Sequence, residues 1–164
     1  MKRTYWKAVL AILVLVAISA PVAWAEAGSR AADEAAITKL VASYNEAWNN
    51  KDAHTCAMLF TEDGDFTSVR GDADHGRPAL DKHYQVVFTT FLKNAHRTDK
   101  VRSIRFLSRN LASVDTEFEL MGATAANATE GAKTVRKGLL TWVVAKQDGQ
   151  WRIAVFHELD YPGK

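Results

Sequence analysis

The stretch VRKGLLTWVVAKQDGQWRIAVFHEL, residues 135–159, decides the fold. Asp148-Gly149 at its centre reads as a two-residue turn whose central residues tolerate positive φ. The β-branched and aromatic residues on either side make the segment an antiparallel hairpin. Pairing Gln147 with Gln150 and counting outward sets Val144 against Ile153, Trp142 against Val155 and Leu140 against His157. One face then collects Leu140, Trp142, Val144, Ile153, Val155 and His157, and the other Leu139, Thr141, Val143, Ala154 and Phe156. A sheet apolar on both faces must be covered twice, whereas the chain offers one layer of helices. A homodimer packed through the outer sheet face answers that demand.

Working back from the hairpin, Ser113 to Met121 alternates Val114, Thr116, Phe118 and Leu120 with Asp115, Glu117 and Glu119, the pattern of a strand with one wet face. Val101 to Leu107 reads as its predecessor, and the small, polar stretch Gly122 to Lys133 as a loop. Before Lys100 the signals are helical. Ile37, Leu40, Val41, Tyr44, Ala47 and Trp48 recur at three- and four-residue spacing, one apolar stripe on a helix of about five turns ending near Asn49-Asn50. Asp52 caps a short second helix whose apolar residues include Ala53, Cys56, Leu59 and Phe60. Glu62-Asp63-Gly64 breaks that helix, Asp65 to Val69 forms a short strand, and Arg70 to Gly76 is turn-rich. Pro78 opens a third helix, where its missing N–H costs nothing, with Leu80, Tyr84, Val87, Phe88 and Phe91 as its buried stripe.

The N-terminus carries Lys2, Arg3 and Lys7, the apolar run Ala8 to Ile18, then Pro21 and the triplet Ala23-Trp24-Ala25. This order is that of a secretory signal peptide over residues 1–25, cleaved near Ala25, followed by an unstructured leader over 26–31 and a domain over 32–161. The apolar run is shorter than the roughly 20 residues of a membrane-spanning helix, so the mature form is expected to be free of the membrane. Export to a bacterial periplasm follows as the expected localisation. Losing Lys2, Arg3 and Lys7 takes the formal charge of +2 to −1, which leaves no electrostatic footprint for nucleic acid. Cys56, the single cysteine, has no intramolecular partner, so stability rests on packing.

Helix, short helix, strand, helix and a long four-stranded meander carry three further motifs: Asp63-Gly64-Asp65-Phe66, Gly76-Arg77-Pro78-Ala79-Leu80, and Gly149-Gln150-Trp151-Arg152-Ile153-Ala154 with His157. With these the chain resembles the SgcJ/EcaC family of SnoaL-like domains over nearly all of its mature length. The resemblance implies an α+β, cone-shaped, nuclear-transport-factor-2-like fold, with three N-terminal helices packed on a curved, mostly antiparallel sheet. It also implies a compact dimer with a cavity for a small organic molecule. Isomerases, dehydratases, cyclases and binding modules share this fold, so it does not choose among them.

His157, placed by the hairpin register beside Trp142, is the leading candidate for acid–base work, with a buried structural histidine as the alternative. Asp65, beside Phe66, is the candidate to orient a histidine or act as a base. Tyr44 and Trp48 from the first helix and His83 and Tyr84 from the third give polar tips to an apolar wall, which Phe66, Phe118 and Trp142 from the strands complete as substrate-binding residues. The histidines, His54, His75, His83, His96 and His157, show no metal-ligand spacing, so no metal is expected. No Gly-rich dinucleotide fingerprint or G-x-S-x-G elbow is present, so no cofactor is expected either. Asn127-Ala128-Thr129 fits a glycosylation acceptor. Three functions remain open: a cofactor-free acid–base enzyme, a non-catalytic ligand-binding protein, and a dimeric interaction module.

Overall fold

The computed structural model describes residues 28–124 and 133–161. The expected signal peptide, the first residues of the leader and the glycosylation triplet at Asn127 lie outside the described residues. The first helix, α1, covers residues 28–49, so helix begins inside the stretch expected to be leader. The chain divides into two compact units, one reaching to Ala36 and one from Ile37 onward, and the contacts below belong to the second.

The stripe read from the sequence is the buried face of α1: Ile37, Leu40, Val41, Tyr44, Ala47 and Trp48 are all in the core. The helix stops in a wrapped end, with Asp52 N–H donating to Ala47 O and Lys51 N–H to Trp48 O. Lys51 there takes φ of 60°, a left-handed conformation that usually falls to glycine or asparagine. Its ammonium donates to Ala95 O and sits 4.0 Å above the Trp48 ring, contacts that offset the backbone strain. Asp52 caps α2, Ala53–Met58, by accepting from Thr55 N at 2.9 Å. The strand after it, β1, runs Phe60–Thr67. Phe60, expected on the helix, is thus a strand residue, and Glu62-Asp63-Gly64 lies inside a strand.

A second strand, β2, Ala73–His75, sits in the stretch read as turn. Helix α3, Arg77–Thr89, has Pro78 in its first turn and buries Leu80, Tyr84, Val87 and Phe88. Then come β3, His96–Ser108, β4, Leu111–Thr124, β5, Lys133–Gln147, and β6, Gln150–Asp160. Gly122 to Thr124 and Lys133, expected in a loop, are therefore strand ends. The six strands form one sheet in the order β2-β1-β6-β5-β4-β3. Only β1 with β6 is parallel. Val114, Thr116, Phe118 and Leu120 line its buried face as the alternation requires.

The turn between β5 and β6 forms at Asp148-Gly149, with φ of 50° and 77°. Pairing starts as counted, Gln147 with Gln150 and Val144 with Ile153, and then shifts: Val143 pairs with Val155, Trp142 with Phe156, Thr141 with His157 and Leu140 with Glu158. Ala154 is the extra residue of a β-bulge, and every side chain beyond it changes face. Phe156 is therefore fully buried, and His157 is exposed on the outer face. Burying a phenylalanine is favourable by about 1.5–3 kcal/mol, and the bulge leaves no ring in water and no histidine in the core.

Among the described glycines, Gly138 on β5 has the tightest surroundings. A Cβ there would run into the Leu159 carbonyl oxygen and come within 2.6 Å of the Phe118 ring. Gly138→Ala should lower stability by about 1–3 kcal/mol, the usual penalty of overpacking. Urea unfolding checks it: the midpoint should fall with the slope unchanged.

Candidate functional site

Helix α1 sets Tyr44 and Trp48 one turn apart on one face, and α3 brings His83, Tyr84 and Val87 opposite them. Together with Phe66 of β1 and residues at the ends of β3 to β6 they enclose a cleft of about 320 Å³. The walls are mainly rings and aliphatic side chains, the character expected of a pocket for a small organic molecule. Of the residues singled out from the sequence, Tyr44, Trp48, Phe66, His83 and Tyr84 line it. Phe118 and Trp142 do not line it. Trp142 is fully buried beneath it, its indole N–H donating to Thr116 Oγ1 at 2.9 Å, and Phe118 packs under the Arg97 guanidinium.

Besides Ser68 and Arg70, polar chemistry enters the cleft at four places. Tyr44 and Tyr84 share a hydrogen bond of 3.0 Å between their hydroxyls. Burial pushes both phenols well above the ordinary tyrosine value, so each keeps its proton near neutrality. Two hydroxyl protons and one shared bond leave one O–H to donate elsewhere. His83 Nδ1 stands 2.8 Å from Asp74 Oδ2, and both side chains are mostly shielded. The ring lies against Phe66, with centroids 4.8 Å apart. Nε2 has no partner among the described residues.

The third place is Arg97, 3 % exposed. Its Nε donates to both oxygens of Asp99 at 3.0 Å and its Nη1 to Glu158 Oε1 at 2.7 Å. Helix α1 fixes this stretch of backbone: Asn49 bonds both the N–H and the C=O of Arg97, and Asn45 Oδ1 accepts from Asp99 N. Nη2 is buried without an acceptor among the described residues. The Phe118, Tyr44, Phe156 and Trp48 rings surround the guanidinium at 5.0 to 5.9 Å and give it π faces instead. Burial works against the Arg97 charge, but Asp99, Tyr44 and Glu158 hold its value well above even the ordinary arginine range. Burial also pushes the Asp99 carboxyl up, against the downward pull of Arg97. Since the guanidinium does not give up its proton, Asp99 is the member of the pair that titrates. The fourth place is the rim, where Arg136 grips Asp160 with two bonds of 3.0 and 2.8 Å.

The expected pairing of His157 with this cleft does not form, because the bulge turns His157 to the opposite face. Asp65 does hold a histidine, but it is His75 of β2, with Nδ1 2.7 Å from Oδ1. That pair and His157 line a shallow depression on the outer face, open to solvent. Sequence reading missed Asp74, Arg97, Asp99 and Arg136. Arg97-x-Asp99 carried a usable signal, since alternating opposite charges ahead of Val101 fit a strand that starts earlier.

The SnoaL-like domain family matches residues 29–157. The chain belongs to that family. No curated protein matches this SnoaL-like domain at a significant level. Its solved relatives include a domain of unknown function with a cystatin-like fold from Nostoc punctiforme, at 27 % identity, 80 % of this chain, 79 % of that one and a TM-score of 0.68. A candidate scytalone dehydratase from Novosphingobium aromaticivorans is similar at 20 % identity, over 83 % and 89 % of the two chains, with a TM-score of 0.73. A ketosteroid isomerase-like protein from Erwinia carotovora atroseptica is similar at 20 % identity, over 79 % and 96 %, with a TM-score of 0.67. Three helices and a mixed, mostly antiparallel six-stranded sheet make this the nuclear-transport-factor-2-like fold.

Two measurements test the electrostatics. Arg97→Met should destabilise by about 3–5 kcal/mol, because it leaves buried carboxylates unpaired, and adding Asp99→Asn should recover part of the loss in thermal unfolding. On the outer face, hydrogen bonding to Asp65 raises the His75 value, so the pair's contribution is complete below the ordinary histidine pKa and fades as pH rises through the raised one. Asp65→Asn should bring the His75 midpoint back down in an NMR titration.

Proposed function

We propose that this SnoaL-like domain binds a small, largely apolar organic molecule in its cleft and moves a proton on it without a cofactor, as isomerases, dehydratases and cyclases do. The observation that carries this reading is the presence of His83, paired with Asp74, and the Tyr44–Tyr84 hydroxyl pair on the wall of one apolar cleft. A histidine with one nitrogen paired and the other without a partner among the described residues has a nitrogen with which to accept or deliver a proton. A buried phenol with an unspent O–H can donate to an oxygen on which negative charge develops. The similarity to a candidate scytalone dehydratase and a ketosteroid isomerase-like protein is consistent with such chemistry.

The motifs around Asp63-Gly64-Asp65-Phe66 and Gly76-Arg77-Pro78 favour the SgcJ/EcaC branch within the family. Assembly as a homodimer through the outer sheet face is supported by Met121, Val135, Leu159 and Tyr161, each at least 42 % exposed. Export to a periplasm rests on the N-terminal pattern alone, and N-terminal sequencing of the protein from its own host tests it.

The test of function is native mass spectrometry of the protein from that host, followed by denaturation to release its cargo. The expected result is a co-purified organic molecule small enough for about 320 Å³. Turnover of that molecule should fall by about 10²–10⁴-fold in His83→Ala while the fold is retained. An unchanged rate in His83→Ala would refute the acid–base reading and leave a ligand-binding protein.

A further inference from the structure

The cleft contains a carboxylate that the reading above does not use. Glu158 stands on β6 immediately after His157, and the bulge at Ala154 turns it toward Leu140 on the inner side of the sheet. It lines the same cleft as His83, and its side chain is 12 % exposed. Oε1 accepts from Arg97 Nη1 at 2.7 Å, whereas Oε2 has no hydrogen-bond partner among the described residues. A carboxylate held by one oxygen, with the other unoccupied beside an apolar cavity, is positioned to take a proton from a bound molecule. Arg136 does not compete for it, because both of its described bonds go to Asp160.

The hold on Oε1 is stiff at every link. Arg97 is fixed through Nε by both oxygens of Asp99, and the Asp99 side chain is fully buried. The backbone under both residues is bonded to Asn45 and Asn49 of α1, the helix that also supplies Tyr44 and Trp48 to the cleft. Carboxylate, guanidinium and cleft wall are therefore tied to the same helix. An arrangement that only stabilised the fold would not require the terminal carboxylate to open on the cavity.

We propose that Glu158 is a second catalytic group of this site and Arg97 its positioning residue, so that the cleft handles two protons on one substrate. This rests on the acid–base reading of His83. The substrate class is a small carbonyl compound with a removable C–H beside the carbonyl. Glu158 Oε2 takes that proton, the C–H electron pair forms a carbon–carbon double bond, and the carbonyl π pair moves to oxygen, next to the free O–H of the tyrosine pair. The enolate so formed is protonated by the imidazolium form of His83, at its oxygen or, where a double bond is conjugated with it, at a more distant carbon. Proton exchange with solvent then restores both groups, and the net change is the relocation of one hydrogen.

The probe is 2-tetralone, an aromatic ketone with activated C–H bonds, followed by NMR in D₂O as its protons beside the carbonyl exchange for deuterium. The wild-type protein is expected to exchange them faster than buffer. Glu158→Gln should slow the protein-dependent rate about a hundredfold or more, and Glu158→Asp should keep it within about tenfold of wild type. Calorimetric affinity for 2-tetralone should stay within about threefold in both variants, and circular dichroism should show the same fold. Exchange by Glu158→Gln at the wild-type rate, with His83→Ala slowed, would overturn the proposal and leave the reading of His83 standing. Exchange by wild type no faster than buffer would overturn both.

Discussion

The backbone of β6 holds one residue more than β5 can match, and the position of that residue sets the chemistry of both sheet faces. Ahead of Ala154 the strands follow the turn. Beyond it the alternation is inverted, so Phe156 enters the core, Glu158 and Asp160 reach the cleft, and His157 joins Asp65 and His75 on the outer face. A strand pairs with period two, and one inserted residue therefore exchanges every later side chain between faces. The Tyr44, Trp142 and Phe156 rings pack with centroids about 5 Å apart around the result. Losing the bulge would put Phe156 into water and a carboxylate on the wrong side.

The bulge also brings Glu158 to a buried guanidinium. Removing Arg97 and Asp99 from water is expensive, and their mutual attraction compensates only because Nε reaches both Asp99 oxygens and the backbone beneath is tied to α1. Such a pair contributes less to net stability than to uniqueness: the bonds that join Asn45, Asn49, Arg97, Asp99 and Glu158 form in a single register of β3, β6 and the helix. The same residues form one end of the cleft, so the order of the site and the order of the core have a common source.

Much of the fold was legible because its strongest signals are local. Asp148-Gly149, the stripe from Ile37 to Trp48, and the alternation from Val114 to Leu120 each depend on neighbours within a few residues. The aromatic wall was legible for the same reason, since Tyr44 with Trp48 and His83 with Tyr84 face inward by helical spacing. What escaped depends on pairing across the sheet. A bulge at Ala154 leaves no mark in composition, so the count outward from the turn placed His157 where Phe156 belongs. Asp74 was hidden because a three-residue edge strand in a run of Gly and Asp looks like turn. Arg97 was hidden because β3 begins at His96 with polar residues, five positions before its first aliphatic one, Val101.

Strand β3 ends the sheet, and an outermost strand offers its spare N–H and C=O groups to any other extended chain. Here the beginning of that border is closed from within: the Asn49 amide takes both main-chain groups of Arg97, and Asn45 takes the N–H of Asp99, so two side chains stand in for a neighbouring strand. Farther along, the border is guarded by charge, with Lys100, Arg102 and Arg105 all exposed. Like charges on an approaching copy would repel before hydrogen bonds could form. The amides that tie Arg97 in place thus also close the start of this border to another extended chain.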